Sequence, residues 1–253
     1  MPPLFNSSVR GCQMGMDFVI FGHDIPKKIC YTIQVFLEVI PCFTSANRVT
    51  PPERLLMDHF DINRKEESDM EMKVDAKTER VRIWEELLKV AKPDSKFSWQ
   101  FSEFICDYEG SEKGTALLTA TDMYKNAKVI FITPDNNLET LREQAFLDKK
   151  TVVMTNYGIT RGFFLIRPGQ IPEGKEEVAS LLDGVSRYWK HQTLAQLKES
   201  VGHIDMMVTG ASAITPSGIR FGKGHGYFDL EWAMLSSKGI ADNSTVIIGA
   251  GHD

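Results

Sequence analysis

Three short segments of this chain, Lys128–Thr133, Lys150–Met154 and Ile204–Thr209, each hold three or four apolar residues in succession. They are too short to be independent helices. A strand buried on both faces reads as such an unbroken apolar run, because neither face needs polar residues. Thr245–Ile248 is a fourth run of this kind. Between the runs the spacing turns helical. Val81, Trp84, Leu87 and Leu88 recur along a helix that begins near Ala76, and further helices are predicted at Glu112–Lys125, Leu138–Leu147, Glu176–Tyr188, Leu194–Ser200 and Leu230–Lys238. Pro134-Asp-Asn-Asn137 reads as a turn, and Asn156–Lys175, punctuated by Gly and Pro, as one long loop. Strands alternating with helices predict an α/β domain: a three-layer sandwich with a mainly parallel central sheet. In such sheets ligands bind beyond the carboxyl ends of the strands.

The rest of the chain excludes more than it assigns. Residues 1–75 read as an N-terminal extension followed by an acidic linker. Met1–Thr50 is either a short helix-containing piece or a poorly ordered one. Pro51–Asp75 mixes Asp58, Asp61, Glu66, Glu67, Asp69 and Glu71 with Arg64 and Lys65, as solvated connectors do. The α/β domain is expected over residues 76–253. Ile29–Phe43 is apolar but broken by Gln34 and Glu38, and falls short of the roughly twenty residues of a membrane-spanning helix. No secretion signal is convincing, so the expectation is a cytoplasmic protein with no membrane partner. The net charge of −5 lacks the basic stripe of a nucleic-acid binder. Cys12, Cys30, Cys42 and Cys106 match no metal motif and read as free, buried thiols.

The chemistry concentrates in Gly218–Asp229, which carries glycine at 218, 222, 224 and 226, with Arg220 and Lys223 between them. Glycines let backbone N–H groups close on a ligand, and successive N–H groups form an anion nest. The helix that follows adds its positive N-terminal end. Arg220 and Lys223 supply cations for phosphate oxygens. Asp229 is a hard oxygen donor of the kind Mg2+ takes beside phosphates. The segment is neither a Walker A loop nor a dinucleotide fingerprint. His225 lies inside the glycine loop and is read as a ligand contact. Tyr227 is read as stacking or hydrogen bonding at the site. Trp84 and Trp232 are read as core aromatics, His203 and His252 as structural or exposed, Arg161 as a solvated or ion-paired residue with a weaker claim on an anion, and Glu139 with Arg142 as a pair on a helix face.

The twelve residues Gly218–Asp229 resemble the C-terminal motif of the 5-formyltetrahydrofolate cyclo-ligase family, G-x-R-x-G-[RK]-G-x-G-Y-[YF]-D. Ile204–Gly210 is similar to that family's preceding strand. Leu230-Glu231-Trp232-Ala233-Met234 looks like its methenyltetrahydrofolate synthetase domain-containing branch. Arg80 with Ile83 and Trp84 resembles its first helix, and Glu139–Leu141 with Lys150–Met154 its second strand–helix–strand unit. The resemblance implies a fold near the ribose-isomerase and CoA-transferase folds. It implies ATP bound along Arg220, Gly222, Lys223, Gly224, His225, Gly226, Tyr227 and Phe228, with Arg80 reaching the nucleotide and Asp229 holding Mg2+. Lys223–Tyr227 would also touch the folate, with Arg220, Lys223 and Tyr227 as the catalytic set.

The implied reaction moves the ATP γ-phosphoryl group to the formyl oxygen of 5-formyltetrahydrofolate. N10 then closes on the activated carbon, and phosphate leaves to give 5,10-methenyltetrahydrofolate. Phosphoryl transfer needs positioning and neutralised charge more than a covalent nucleophile. The chain departs from the family pattern at Ala76 (a lysine in the family), at His225 (often a lysine) and at Asn137 (a folate-contacting glutamate). It also reads as lacking a last strand. These departures keep open a second expectation, a nucleotide-binding regulatory relative without cyclo-ligase activity.

Overall fold

The computed structural model describes residues 33–36, as backbone, and 76–252, apart from 216, 217 and 219. The readings of the other N-terminal residues, of the linker and of Cys12, Cys30 and Cys42 lie outside the described residues. In chain order the elements are β1 (Ile33–Phe36), α1 (Ala76–Leu87), α2 (Ser111–Ala120), α3 (Asp122–Asn126), β2 (Val129–Ile132), α4 (Glu139–Leu147), β3 (Thr151–Thr155) and β4 (Phe163–Ile166). There follow α5 (Glu176–Ser180), α6 (Val185–Tyr188), β5 (Lys190–Gln192), α7 (Leu194–Val201), β6 (Met206–Gly210), β7 (Ala213–Ile214), β8 (Arg220–Phe221), α8 (Tyr227–Ser237) and β9 (Val246–Ala250).

One sheet carries the order β1-β9-β6-β2-β3-β4-β5, and β7 pairs with β8 in a small ribbon. The centre is parallel: β9 on β6, β6 on β2, β2 on β3. The outer strands β1, β4 and β5 run antiparallel to their neighbours. Strand periodicity divides the core. Ile130, Ile132, Val152, Met154, Met206 and Val208 point to one face, against Leu141, Ala145 and Phe146 of α4. Phe131, Val153 and Met207 point to the other, against Leu197 of α7 and Leu235 of α8. This is the expected three-layer, mainly parallel α/β sandwich. A third cluster joins Ile83 and Leu87 of α1 to Phe101, Phe104 and Cys106, with Trp84 partly buried on it.

Several elements differ from the sequence expectation. The predicted loop 156–175 contains β4, a fully buried strand. The predicted helix 112–125 breaks at Thr121, which is extended and caps α3 by accepting from the Tyr124 N–H. On α1 the buried residues are Ile83 and Leu87, while Val81 and Leu88 are exposed. Glu139 and Arg142 do pair at i,i+3, with Nη2 4.0 Å from Oε1, but the pair is not a surface one: Arg142 is fully buried and donates to the carbonyls of Thr133, Asp135 and Ser180 at 2.8, 3.0 and 2.7 Å.

β2 leads through α4 to β3 on one side of the sheet, and β6 leads through α8 to β9 on the other. The connections therefore diverge between β2 and β6. A sheet of this kind opens its crevice at that point, beyond the carboxyl ends of the strands.

Candidate functional site

A cavity of about 240 Å3 lies at this divergence. Its walls come from Thr133 and Asp135 beyond β2, Tyr157 and Gly158 beyond β3, Thr209 of β6, Arg80 of α1 and the segment from Arg220 to Glu231. Every site residue named from the sequence lines it: Arg80, Arg220, Gly222, Lys223, Gly224, His225, Gly226, Tyr227, Phe228 and Asp229. Arg161 does not line it.

The loop reaches its shape through close approaches that exclude side chains. Gly224 has φ +99°, and a Cβ there would stand 3.1 Å from Cζ of Arg80. Arg80 in turn donates from Nε to the Gly222 carbonyl at 3.4 Å, which ties α1 to the loop. On the far wall, Gly210 ends β6 so tightly against Asp135 that a Cβ would lie 2.9 Å from the carboxylate Oδ2. The Gly210 N–H donates to that oxygen at 2.9 Å, and the Thr133 hydroxyl donates to it at 2.5 Å. The Gly210 carbonyl accepts from Arg220 Nε and Nη2 at 2.9 and 2.7 Å. Arg220 therefore sits at the end of β6, with its guanidinium over the Phe228 ring at 5.6 Å.

Lys223 reaches across the mouth. Its Nζ donates to the Glu103 carbonyl at 3.2 Å and stands 4.4 Å from the Tyr157 ring centroid and 5.5 Å from that of Tyr227. His225 meets Tyr227 edge to face at 5.3 Å. Burial pushes the Lys223 ammonium below its ordinary pKa, against the pull of Asp135. Burial likewise lowers Arg220, against Asp135, Asp229 and Glu231. The Tyr157 phenol is driven up by burial and stays protonated.

Three cations, Arg80, Arg220 and Lys223, thus surround a glycine loop that opens onto the N-terminus of α8. That donor set fits a polyphosphate. Asp229 stands in the first turn of α8. Among the described residues, no three His, Cys, Asp or Glu side chains group as a metal site. A magnesium ion here fits only as one that takes a single protein carboxylate and draws its other oxygens from phosphate and water, a common arrangement for Mg2+ with nucleotides.

The sequence profile of the 5-formyltetrahydrofolate cyclo-ligase family matches residues 72–253. The chain belongs to this family. It is 27% identical over 150 residues to the methenyltetrahydrofolate synthase domain-containing protein of Homo sapiens, covering 59% of this chain and 38% of that one. The Bos taurus protein of the same name is 28% identical over 152 residues, covering 59% and 39%. The Mus musculus protein is 26% identical over 175 residues, covering 69% and 46%. The chain thus spans less than half the length of these relatives.

Within this cyclo-ligase family member, sequence reasoning missed Thr133, Asp135, Tyr157 and Glu231. Asp135 and Tyr157 follow the carboxyl ends of β2 and β3, where ligand groups collect in parallel sheets, so topology could have flagged them. Glu231 lies four residues after Tyr227, on the same helix face. It is 2% exposed. The Thr155 hydroxyl donates to its Oε1, whereas its Oε2 has no partner. Burial pushes its carboxyl up to about 8. Asn137, by contrast, turns from the cavity and donates to the Ala250 carbonyl at 3.1 Å. Cys106 is buried, and its thiol is pushed up to about 12. His203 meets the Ser244 hydroxyl on the surface, and His252 packs on Tyr108. Among the described residues no helix is long and apolar enough to cross a membrane.

Proposed function

We propose that this protein is an ATP- and Mg2+-dependent ligase that converts 5-formyltetrahydrofolate to 5,10-methenyltetrahydrofolate. The observation that carries the reading is the convergence of Arg80, Arg220, Lys223 and the glycine loop on one cavity at the divergence of β2 and β6. Arg80 and the loop N–H groups would hold the phosphates. Arg220, fixed to the Gly210 carbonyl, would present positive charge at the transferring group from a preset position. Lys223 needs only to leave the Glu103 carbonyl and the Tyr157 ring to reach the same oxygens. Its lowered pKa reflects poor solvation, which strengthens its pull on an anion. Asp229 would hold the magnesium ion, which neutralises charge shared between phosphate oxygens. Tyr227 and His225 would line the folate side. Family membership and the folate-related names of the relatives support this reading.

The test is the near-ultraviolet absorbance of the methenyl product, followed with purified protein, 5-formyltetrahydrofolate and Mg2+, with ATP present or omitted. An ATP-dependent rise is expected; its absence overturns the reading. One observation favours a second reading, a nucleotide-binding relative without cyclisation. Asn137, where the family resemblance places a folate-contacting carboxylate, faces away from the cavity. Calorimetric ATP binding without product would select it.

A further inference from the structure

The two most buried carboxyl groups of the cavity lining, Asp135 and Glu231, are satisfied unequally. Asp135 accepts from a hydroxyl and a backbone N–H. Glu231 accepts from Thr155 with one oxygen and presents the other, buried, to no protein donor. Buried polar atoms are nearly always paired, because an unpaired one gives up its water without return. The buried Thr155 hydroxyl uses one oxygen of this carboxyl, and nothing in the packing uses the other. Phe228, Trp232 and Leu235 of the same helix belong to an apolar cluster that a methionine at 231 would extend.

We infer that Oε2 of Glu231 reads the ligand, accepting a hydrogen bond from the N–H edge of a flat nitrogen heterocycle held among the aromatic rings of the cavity. By itself the buried carboxyl keeps its proton near neutral pH; ligand N–H donors favour its ionised, accepting form whereas a polyphosphate opposes it, so this oxygen faces an uncharged, donor-bearing part of a ligand. The rings of Tyr157, Tyr227 and Phe228 line the same space and offer flat faces for stacking. A 2-amino-4-oxopyrimidine edge presents an amino group beside a ring N–H, the pair of donors that a carboxyl matches best. Adenine presents one amino group flanked by acceptor nitrogens. The assignment rests on the proposed function, in which that edge belongs to the reduced pterin of 5-formyltetrahydrofolate.

Calorimetry on the full chain tests it, with 5-formyltetrahydrofolate and Mg·ATP titrated separately into wild type, Glu231→Met and Glu231→Gln, alongside thermal midpoints. Glu231→Met should weaken folate binding by about tenfold or more, the loss of one hydrogen bond to a charged group, leave Mg·ATP within about twofold, and hold the thermal midpoint near that of the wild type, because the unpaired buried oxygen it removes offsets the Thr155 hydroxyl it strands. Glu231→Gln, which keeps one acceptor, should fall between. Folate binding by Glu231→Met at the wild-type level overturns the inference. So does a lowered midpoint with both ligands lost together, because that is what a structural role produces. A wild type that binds no folate overturns the functional reading instead. Mg·ATP then decides for Glu231: weakened binding with the midpoint kept near that of the wild type keeps it as the reader of adenine, and unchanged binding removes it.

Discussion

The two walls of the cavity are built on opposite terms. The β2–β6 wall is closed on the cavity side: Asp135 is held by Thr133 and Gly210, its carbonyl and that of Thr133 by the buried Arg142, and the Asn136 N–H by the Ile105 carbonyl at 3.2 Å, while the atoms it leaves without a hydrogen bond, Arg142 Nη2 and Asn137 Oδ1, belong to residues that do not line the cavity. The β3–α8 wall and the glycine loop are left open. Glu231 keeps an oxygen without a partner, Asp229 stands at a helix start, and Lys223 rests on rings and one carbonyl. Closed polar networks give rigidity, and open ones give up stability to meet a ligand. The difference teaches which buried polar groups belong to the fold and which to the chemistry.

The contrast breaks most visibly at Arg142. Arg142→Met should cost roughly 3–5 kcal/mol, because it strands three buried carbonyls that no water reaches. Urea denaturation measures this, and a loss below about 1 kcal/mol would mean that the wall closes without it. On the open side, Lys223→Ala and Asp229→Ala should each lower turnover by roughly a hundredfold or more with the thermal midpoint near that of the wild type. Turnover retained in both variants removes the loop from the chemistry. Asp135→Ala belongs to the closed wall and should cost about 1–3 kcal/mol, since it strands the Thr133 hydroxyl and the Gly210 N–H, which both donate to Oδ2. Destabilisation with unchanged Mg·ATP affinity sharpens the contrast, while unchanged stability blurs it. The smallest effect is at Cys106, behind the closed wall. Its buried thiol, pushed up to about 12, stays protonated at pH 8 and should resist iodoacetamide until urea opens the fold. Peptide mapping by mass spectrometry reads this residue by residue, and rapid labelling in the native protein would show the wall to be loose.

What the sequence made legible follows from the same contrast. Lys128–Thr133, Lys150–Met154 and Ile204–Thr209 announce the parallel centre, because strands covered on both faces have no reason to alternate. Phe163–Ile166 carries the same signal but is shadowed by the glycines and prolines around it. Lys190–Gln192 is polar and largely exposed, an edge strand with no apolar pattern to find. The glycine loop was visible because its glycines and cations lie together in the chain. Asp135, Tyr157 and Glu231 were not, because they meet only through topology: the Thr155–Glu231 contact spans 76 residues. Arg142 was legible only in part for a related reason. Helical spacing finds its pairing with Glu139, while the carbonyls it holds lie beyond β2 and on α5.

Tyr227, Asp229 and Glu231 all ride on the first turns of α8, whose inner face is anchored by Leu235. A helix moves as a body, so the three share one mechanical coordinate. Any substitution that tilts α8 displaces all of them, and single changes along this turn will each report part of the same motion. Their measured effects should then sum to more than their joint removal, the non-additivity of groups that act as a unit.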